Sequence, residues 1–484
     1  MSHTDLLAIK RALAQAHRFS GDEMKKQLLS GLISLFAATP VLAMDLIETY
    51  EKALSYDSGI ASARASFEAR QAASDISRSK LLPQLGASAD ANYTDSDGPS
   101  QNVDYTTLGL GLQLTQPVFR ADAWFNYDAS KFQTDSARAE YHLAQQQLIL
   151  DVASAYFDVL LAQDTVTTLR ATETAIQRQY DQAQERFDVG LIAITEVLEA
   201  RATFDDSRSQ RIAGENSLNI AREQLARLTG EYTEELENLR QNFPLNPPEP
   251  MNPDLWETTA LEQNWSIQAA IFDLKANEET LKAAKAGHYP TVDFQASYGT
   301  SKIGGLDSGG PVTQQRNGTT TQGVIGFQLN VPLYSGGGIQ AGVRQQRSLL
   351  TVAEESLNTV RRDVRVDTRS RFLTINNNIE TASALNQTII SRRSALDATR
   401  AGYDVGTRNI VEVLDAERAY YVALRDFANA RYDYVVNSLR LKQSAGTLSP
   451  QDLVELNNWL SADAPGIEAL ANDDTTLNSQ TMGQ

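Results

Sequence analysis

Two hydrophobic periods alternate along the chain. From Ala121 to Val189 no Gly or Pro interrupts the sequence, and Ile149, Val152, Tyr156 and Leu160 recur at helical spacing. A second such stretch runs from Val343 to Ala401, with Phe372, Ile375, Ile379, Ala382 and Ile389 on one stripe. These patterns predict α-helices over 120–188 and 337–403. Ordinary helices run about 8–20 residues; at 1.5 Å per residue the first of these reaches roughly 100 Å. The remaining positions are rich in Gln, Ala, Arg, Asp and Ser, so only a stripe is apolar. A rod of this length has no globular core and must lie against other helices as a coiled coil or helical wall. Return helices are predicted over 193–229 and 409–445, and further partners over 45–80 and 254–286.

Four segments have a period of two instead, predicting strands at 84–94, 106–117, 290–300 and 322–333. Leu85, Ala87, Ala89, Ala91 and Tyr93 alternate with Gly86, Ser88, Asp90 and Asn92; Ile325, Phe327, Leu329 and Val331 alternate with Gly326, Gln328 and Asn330. Each segment has about the length a tilted strand needs to cross an outer-membrane core. The stretches near 95–103 and 301–320 are polar and Gly-rich, as suits extracellular loops. Phe119, Trp124, Phe125 and Tyr334 follow the second strand of each pair, where an interfacial aromatic girdle belongs. The alternation alone fits a soluble sheet with one wet face equally well. In a membrane, however, four strands cannot close a barrel, for which about eight is the minimum. An open sheet edge cannot face lipid. The chain would then share its barrel with copies of itself, and a channel favours three copies over two.

The sequence also repeats. Phe187–Ala200 matches Tyr403–Ala416 with an offset of 216 residues, and Gly111–Phe119 matches Gly326–Tyr334 with an offset of 215. Two structural repeats, 44–253 and 254–460, follow from this. Residues 24–43 read as an export signal: Lys25 and Lys26, an apolar stretch from Leu28, Pro40, then Val41 and Ala43 before the cleavage site. Residues 1–23 precede a Met that already begins a complete signal and are read as an upstream extension. The acidic tail 461–484 reads as disordered.

Composition narrows the chemistry. Of 484 residues, 43 are Lys or Arg and 61 Asp or Glu, a net charge of −18 that argues against nucleic-acid binding. Absence of Cys excludes disulfides, thiolate metal sites and a thiol nucleophile. His142 and His288 stand alone, and the Gly run Ser335–Gly338 lacks the Lys of a phosphate loop. No enzyme, cofactor or metal is expected.

Asp-Val-Gly at 188–190 and 404–406 reads as a C-cap ending each long helix. Each repeat therefore makes a helical hairpin with Gly190, Leu191, Ile192, Gly406 and Thr407 in the outermost turns. Beyond the second turn Arg408, Glu412 and Asp415 share a helix face, and Thr195 and Glu196 follow the first. On a lone helix this is a solvated ion pair worth a few tenths of a kcal/mol. In a threefold ring the same residues become concentric charges around a pore.

The chain resembles the TolC family of outer-membrane efflux channels. The resemblance rests on Leu-Leu-Pro-Gln-Leu-Gly at 81–86, Leu-Gln-Leu-Thr-Gln at 112–116, Ala153–Phe157, Val189–Thr195, Tyr403–Ala416 and Ala428–Tyr432. It implies an α+β homotrimer, with a twelve-stranded transmembrane β-barrel continuous with a long periplasmic α-helical barrel. It further implies a non-enzymatic exit duct for drugs, toxins or proteins. Such a duct sits in outer-membrane lipid and docks through a periplasmic adaptor to an inner-membrane RND, ABC or MFS translocase, which supplies the energy. The resemblance makes Thr195, Glu196, Tyr403 and Arg408 a gate lock between neighbouring coils and Glu412 and Asp415 two constriction rings. Gly190, Leu191, Ile192, Gly406 and Thr407 become candidates for adaptor contact. Glu stands at 196 and 412 where the family usually has Asp, which keeps the charge and lengthens the reach. The competing expectation is an exported coiled-coil scaffold or a periplasmic adaptor, which would have one hairpin and lack two membrane-length strand pairs.

Overall fold

A computed structural model of the chain describes residues 43–98, 101–305, 318–464 and 467. The upstream extension, the export signal up to residue 42, the centre of the 301–320 loop and most of the acidic tail lie outside the described residues.

The first repeat opens with α1 (Leu46–Tyr56) and α2 (Ser58–Ser79). A hairpin of β1 (Gln84–Gly98) and β2 (Gln101–Phe119) follows, then α3 (Ala121–Asp188) and α4 (Ile194–Thr229). After a short strand, β3 (Asn238–Leu239), the pattern recurs as α5 (Pro253–Gln263), α6 (Trp265–Ala286), β4 (Thr291–Gly304), β5 (Gly318–Asn330), α7 (Gly338–Asp404) and α8 (Ile410–Ser444). The chain then adds α9 (Pro450–Asn457) and β6 (Leu460–Ser461), which pairs with β3. The long helices α3 and α7 have 68 and 67 residues. Each packs against the helix that precedes its strand pair, α2 or α6, and against its return helix, α4 or α8; α3 also packs on α6 and α8, joining the repeats. A long helix with a narrow apolar stripe thus finds partners within its own chain.

The four long strands form one antiparallel sheet in the order β1-β2-β4-β5. The register sorts the two faces. Leu85, Leu114, Ala296 and Ile325 align in one row, and Ser88, Gly111, Gly299 and Gln322 in a row on the other face. Leu85, Leu108, Leu110, Leu112, Ile325, Phe327 and Leu329 are all exposed, so nothing among the described residues covers their face. A soluble sheet buries its apolar face; among the described residues this one has a bare face and edge strands, β1 and β5, with no outer partner. Where the sheet meets α3, the Arg120 guanidinium donates to both carboxylate oxygens of Asp293, at 2.9 and 2.7 Å. This fork ties the start of the long helix to β4 beside the register shift at Pro117/Phe119.

Four expectations need correction. The β1–β2 ladder continues to Gly98↔Gln101, so most of the stretch read as a loop at 95–103 is strand. Conversely, β5 ends at Asn330, short of the predicted 333, because Pro332 has no N–H to extend the ladder. The helices predicted over 45–80 and 254–286 are each broken, at Asp57 and Asn264. Both residues have the same extended backbone, φ −63°, ψ 125° and φ −64°, ψ 126°, and both turn their side chains onto the next helix. Asp57 accepts from the Ile60 amide at 2.9 Å and Asn264 from the Ser266 amide at 2.9 Å. Such N-caps restart a helix without Gly or Pro. Finally, residues 461–464 are ordered rather than disordered. Ser461 pairs with Asn238, and the Ser461 carbonyl accepts from the Ala464 amide at 3.2 Å.

Near this last segment α3 carries a buried carboxylate. Asp164 accepts from the Tyr432 hydroxyl at 2.7 Å and from the Ile467 backbone amide. Burial pushes its pKa up to about 6, against the pull of those hydrogen bonds and of Arg431. A carboxyl whose folded pKa exceeds its unfolded value contributes fully below the unfolded value and loses that contribution as pH rises through the folded one. Two units correspond to about 3 kcal/mol lost between roughly pH 4 and 7. We expect Asp164→Asn, which keeps an acceptor for Tyr432, to raise the thermal midpoint at pH 8 and to lose that advantage at pH 4. An advantage that does not change with pH would contradict this assignment.

Candidate functional site

The ends of the two hairpins concentrate the residues singled out from the sequence. At the end of α3 the Gly190 amide donates to the Phe187 carbonyl at 2.8 Å and the Leu191 amide to the Arg186 carbonyl at 2.8 Å. At the end of α7 the Gly406 amide donates to the Tyr403 carbonyl at 3.0 Å and the Thr407 amide to the Gly402 carbonyl at 2.8 Å. Both glycines are left-handed, φ +79° and +78°, as this C-capping turn requires. The two turns are copies of one another in hydrogen bonding as well as in sequence.

Their return helices differ. The first residue before α4, Ala193, has no side chain to cap it, whereas Asn409 before α8 accepts from the Glu412 amide at 2.9 Å. Gly190, Leu191, Gly406 and Thr407 are exposed in the turns, while Ile192 is partly buried and packs inward. Inside lies one apolar core shared by both hairpins: Ile176 and Ala183 of α3, Val197 and Ala200 of α4, Tyr403 of α7, and Ile410, Val413 and Leu414 of α8.

Tyr403 is only 4 % exposed, and its buried hydroxyl has no hydrogen-bond partner among the described residues. Arg408, in the turn ahead of α8 and so outside the helix face expected for it, pairs with Glu412 in the first turn of α8; the Arg408 side chain is well exposed and Glu412 is half-buried. Asp415 is exposed on the same helix, Thr195 is exposed, and Glu196 is half-buried. Within one chain and among the described residues, neither Thr195 nor Glu196 hydrogen-bonds to Tyr403 or Arg408. Within one chain the structure thus pairs Arg408 with the ring candidate Glu412 and leaves Thr195 and Glu196 apart from Tyr403 and Arg408. At the far end, Phe119 closes β2, Trp124 and Phe125 lie in the first turn and a half of α3, and Tyr334 lies between β5 and α7. All but the half-buried Phe125 are exposed at the junction of sheet and helices.

One polar pair was missed. Glu417 is fully buried between α7 and α8, where one carboxylate oxygen accepts from Arg400 and the other has no partner. The sequence did hold a signal, because Glu417 interrupts an apolar stripe of Ile410, Val413, Leu414, Tyr420 and Leu424.

A four-stranded sheet with a bare apolar face and open edges, continued by two long helical hairpins, is the protomer fold of an outer-membrane channel with a periplasmic duct. Comparison with known proteins agrees. Residues 49–231 and 256–447 match the family described as outer membrane efflux protein. The chain is 37% identical over 437 residues to the outer membrane protein TolC of Escherichia coli, covering 90% of this chain and 87% of that protein. It is 28% identical over 448 residues to the alkaline protease secretion protein AprF of Pseudomonas aeruginosa, covering 90% of this chain and 92% of that one. Among solved structures, the CmeC outer membrane channel of Campylobacter jejuni superposes with a TM-score of 0.72 at 18% identity, over 86% of this chain and 90% of that one. The chain belongs to the outer membrane efflux protein family, and it is an outer-membrane exit duct.

The capping turns give a direct test. Replacing Gly190 or Gly406 by Ala puts a Cβ into the left-handed region at about 1 kcal/mol. Hydrogen exchange at Leu191 or Thr407 is expected to accelerate roughly fivefold in the corresponding variant, and unchanged exchange would show that the turn does not depend on its glycine.

Proposed function

We propose that the chain works as a homotrimer, in which three four-stranded sheets close one twelve-stranded barrel in outer-membrane lipid. The observation that carries this reading is the sheet with both edges unpaired and one apolar face uncovered. An exported soluble scaffold would leave that face in water. Three copies bring six hairpins to the periplasmic end, where the duct is gated.

In this reading the lock forms between chains. Thr195 and Glu196 of one coil bond to Tyr403 and Arg408 of a neighbouring coil. The exposed side chains of Thr195 and Arg408 support it, since a neighbouring chain can reach both; the Tyr403 hydroxyl is covered by its own chain and reaches a neighbour only when the tip shifts. Arg408 already holds Glu412 of its own chain, so the neighbour's Glu196 competes with Glu412 for one guanidinium. Glu412 and Asp415 line the constriction as carboxylate rings. The exposed turns at Gly190, Leu191, Gly406 and Thr407, with Ile192 behind them, receive a periplasmic adaptor. Through it the duct serves an inner-membrane RND, ABC or MFS translocase and passes drugs, toxins or proteins. Likeness to a protease secretion protein, within a family named for efflux, supports service in both tripartite efflux and type I secretion.

Planar-bilayer recording tests the gate. Tyr403→Phe combined with Arg408→Ser is expected to raise single-channel conductance several-fold, and unchanged conductance counts against the lock. The parent channel is expected to prefer cations and to be blocked by multivalent cations from the periplasmic side, with block relieved by Glu412→Ala plus Asp415→Ala. Anion preference, or block insensitive to that pair of changes, rejects the rings.

A further inference from the structure

The lock described above joins different chains. The structure assigns a second latch within one chain: the guanidinium of Arg186 on α3 clamps the ring of Tyr403 on α7. Its carbon lies 4.6 Å from the ring centroid, within the range of a cation–π contact. This proposal rests on the gate reading, because Tyr403 is the residue through which the gate is held.

Three features make the contact more than a chance stacking. First, both residues belong to the capping turns: the Arg186 carbonyl accepts from Leu191, and the Tyr403 carbonyl accepts from Gly406. The position of each side chain is thus fixed by the turn that ends its helix. Second, Tyr403 is buried in the core shared by the hairpins, so the face offered to Arg186 is largely shielded from water, where such contacts are strongest. Arg186 itself is half-buried and, among the described residues, pairs with no carboxylate. The cation is therefore not engaged elsewhere.

Third, the two repeats diverge at this point. The residue matching Arg186 in the second hairpin is Gly402. A Cβ at Gly402 would meet Arg408 Cγ at 2.8 Å and Thr407 Oγ1 at 3.3 Å, so the glycine makes the space over which Arg408 folds. One repeat supplies a cation to hold the other, and the second clears its own backbone for Arg408. Arg186 is accordingly a positioning residue. It holds Tyr403, and with it α7, against the first hairpin, and any movement of the second hairpin away from the first must pull the ring off the guanidinium.

The test uses the purified full-length channel in planar bilayers, read as open-state occupancy at fixed voltage. Arg186→Gln is expected to raise occupancy on the order of three- to thirtyfold, the range of a cation–π contact from exposed to shielded settings. Arg186→Lys, which keeps a cation over the ring, is expected to restore parental gating. Arg186→Gln should retain its effect on a Tyr403→Phe background, where the ring survives, and lose it on Tyr403→Leu, where the ring is gone. If Arg186→Gln gates like the parent while Arg408→Ser opens the channel, the latch is overturned and the inter-chain lock stands. If Arg186→Gln opens the channel equally on Tyr403→Leu, Arg186 acts elsewhere and the assignment is wrong. If neither Arg186→Gln nor Arg408→Ser alters gating, the gate reading fails and the latch with it.

Discussion

Backbone groups at a sheet edge cannot be left unpaired in hydrocarbon, and this single constraint organises the protein. Each unsatisfied N–H or C=O in lipid costs several kcal/mol. The chain has two such edges, along β1 and β5, and a four-stranded sheet cannot bend round to join them. It therefore needs copies of itself. The helices inherit the same need: α3 and α7 have narrow apolar stripes, and Val352, Val366 and Leu373 on α7 stay exposed in one chain. The Arg120–Asp293 fork ties the start of α3 to β4, so in the proposed trimer closure of the sheets also places the start of the helices.

Duplication explains how so few kinds of element suffice. The repeats share the break before α2 and α6, the paired strands, and the glycine turns with nearly identical φ. They differ at the hairpin ends, where the proposed gate lies. Arg186 and Ala193 in the first hairpin stand against Gly402 and Asn409 in the second. The second hairpin also has the ion pair of Arg408 with Glu412 and the buried pair of Arg400 with Glu417. A shared apolar core keeps the hairpins together, while polar contacts specific to each repeat decide how firmly.

The parts legible in the sequence are those governed by local periodicity. Length without Gly or Pro revealed α3 and α7, and strict alternation revealed the faces of the sheet. The breaks at Asp57 and Asn264 were hidden because a side-chain cap, not a helix breaker, makes them. The ordered start of the tail was hidden because its partner, Asn238, lies more than two hundred residues away, and composition carries no such information. Glu417 stands in an apolar stripe, but its ion-pair partner Arg400 lies on α7, which the stripe of α8 alone does not place. The Arg186–Tyr403 stack joins two hairpins that only the fold brings together. Ile192 turned out to pack inward, which a turn position alone does not show.

The central claim is that one copy cannot seal its own sheet. Native mass spectrometry of the protein extracted in detergent tests it most directly. The account predicts a complex of three chains that resists dissociation in detergent and precipitates when the detergent is removed. A monodisperse single chain, stable in plain buffer, would contradict it.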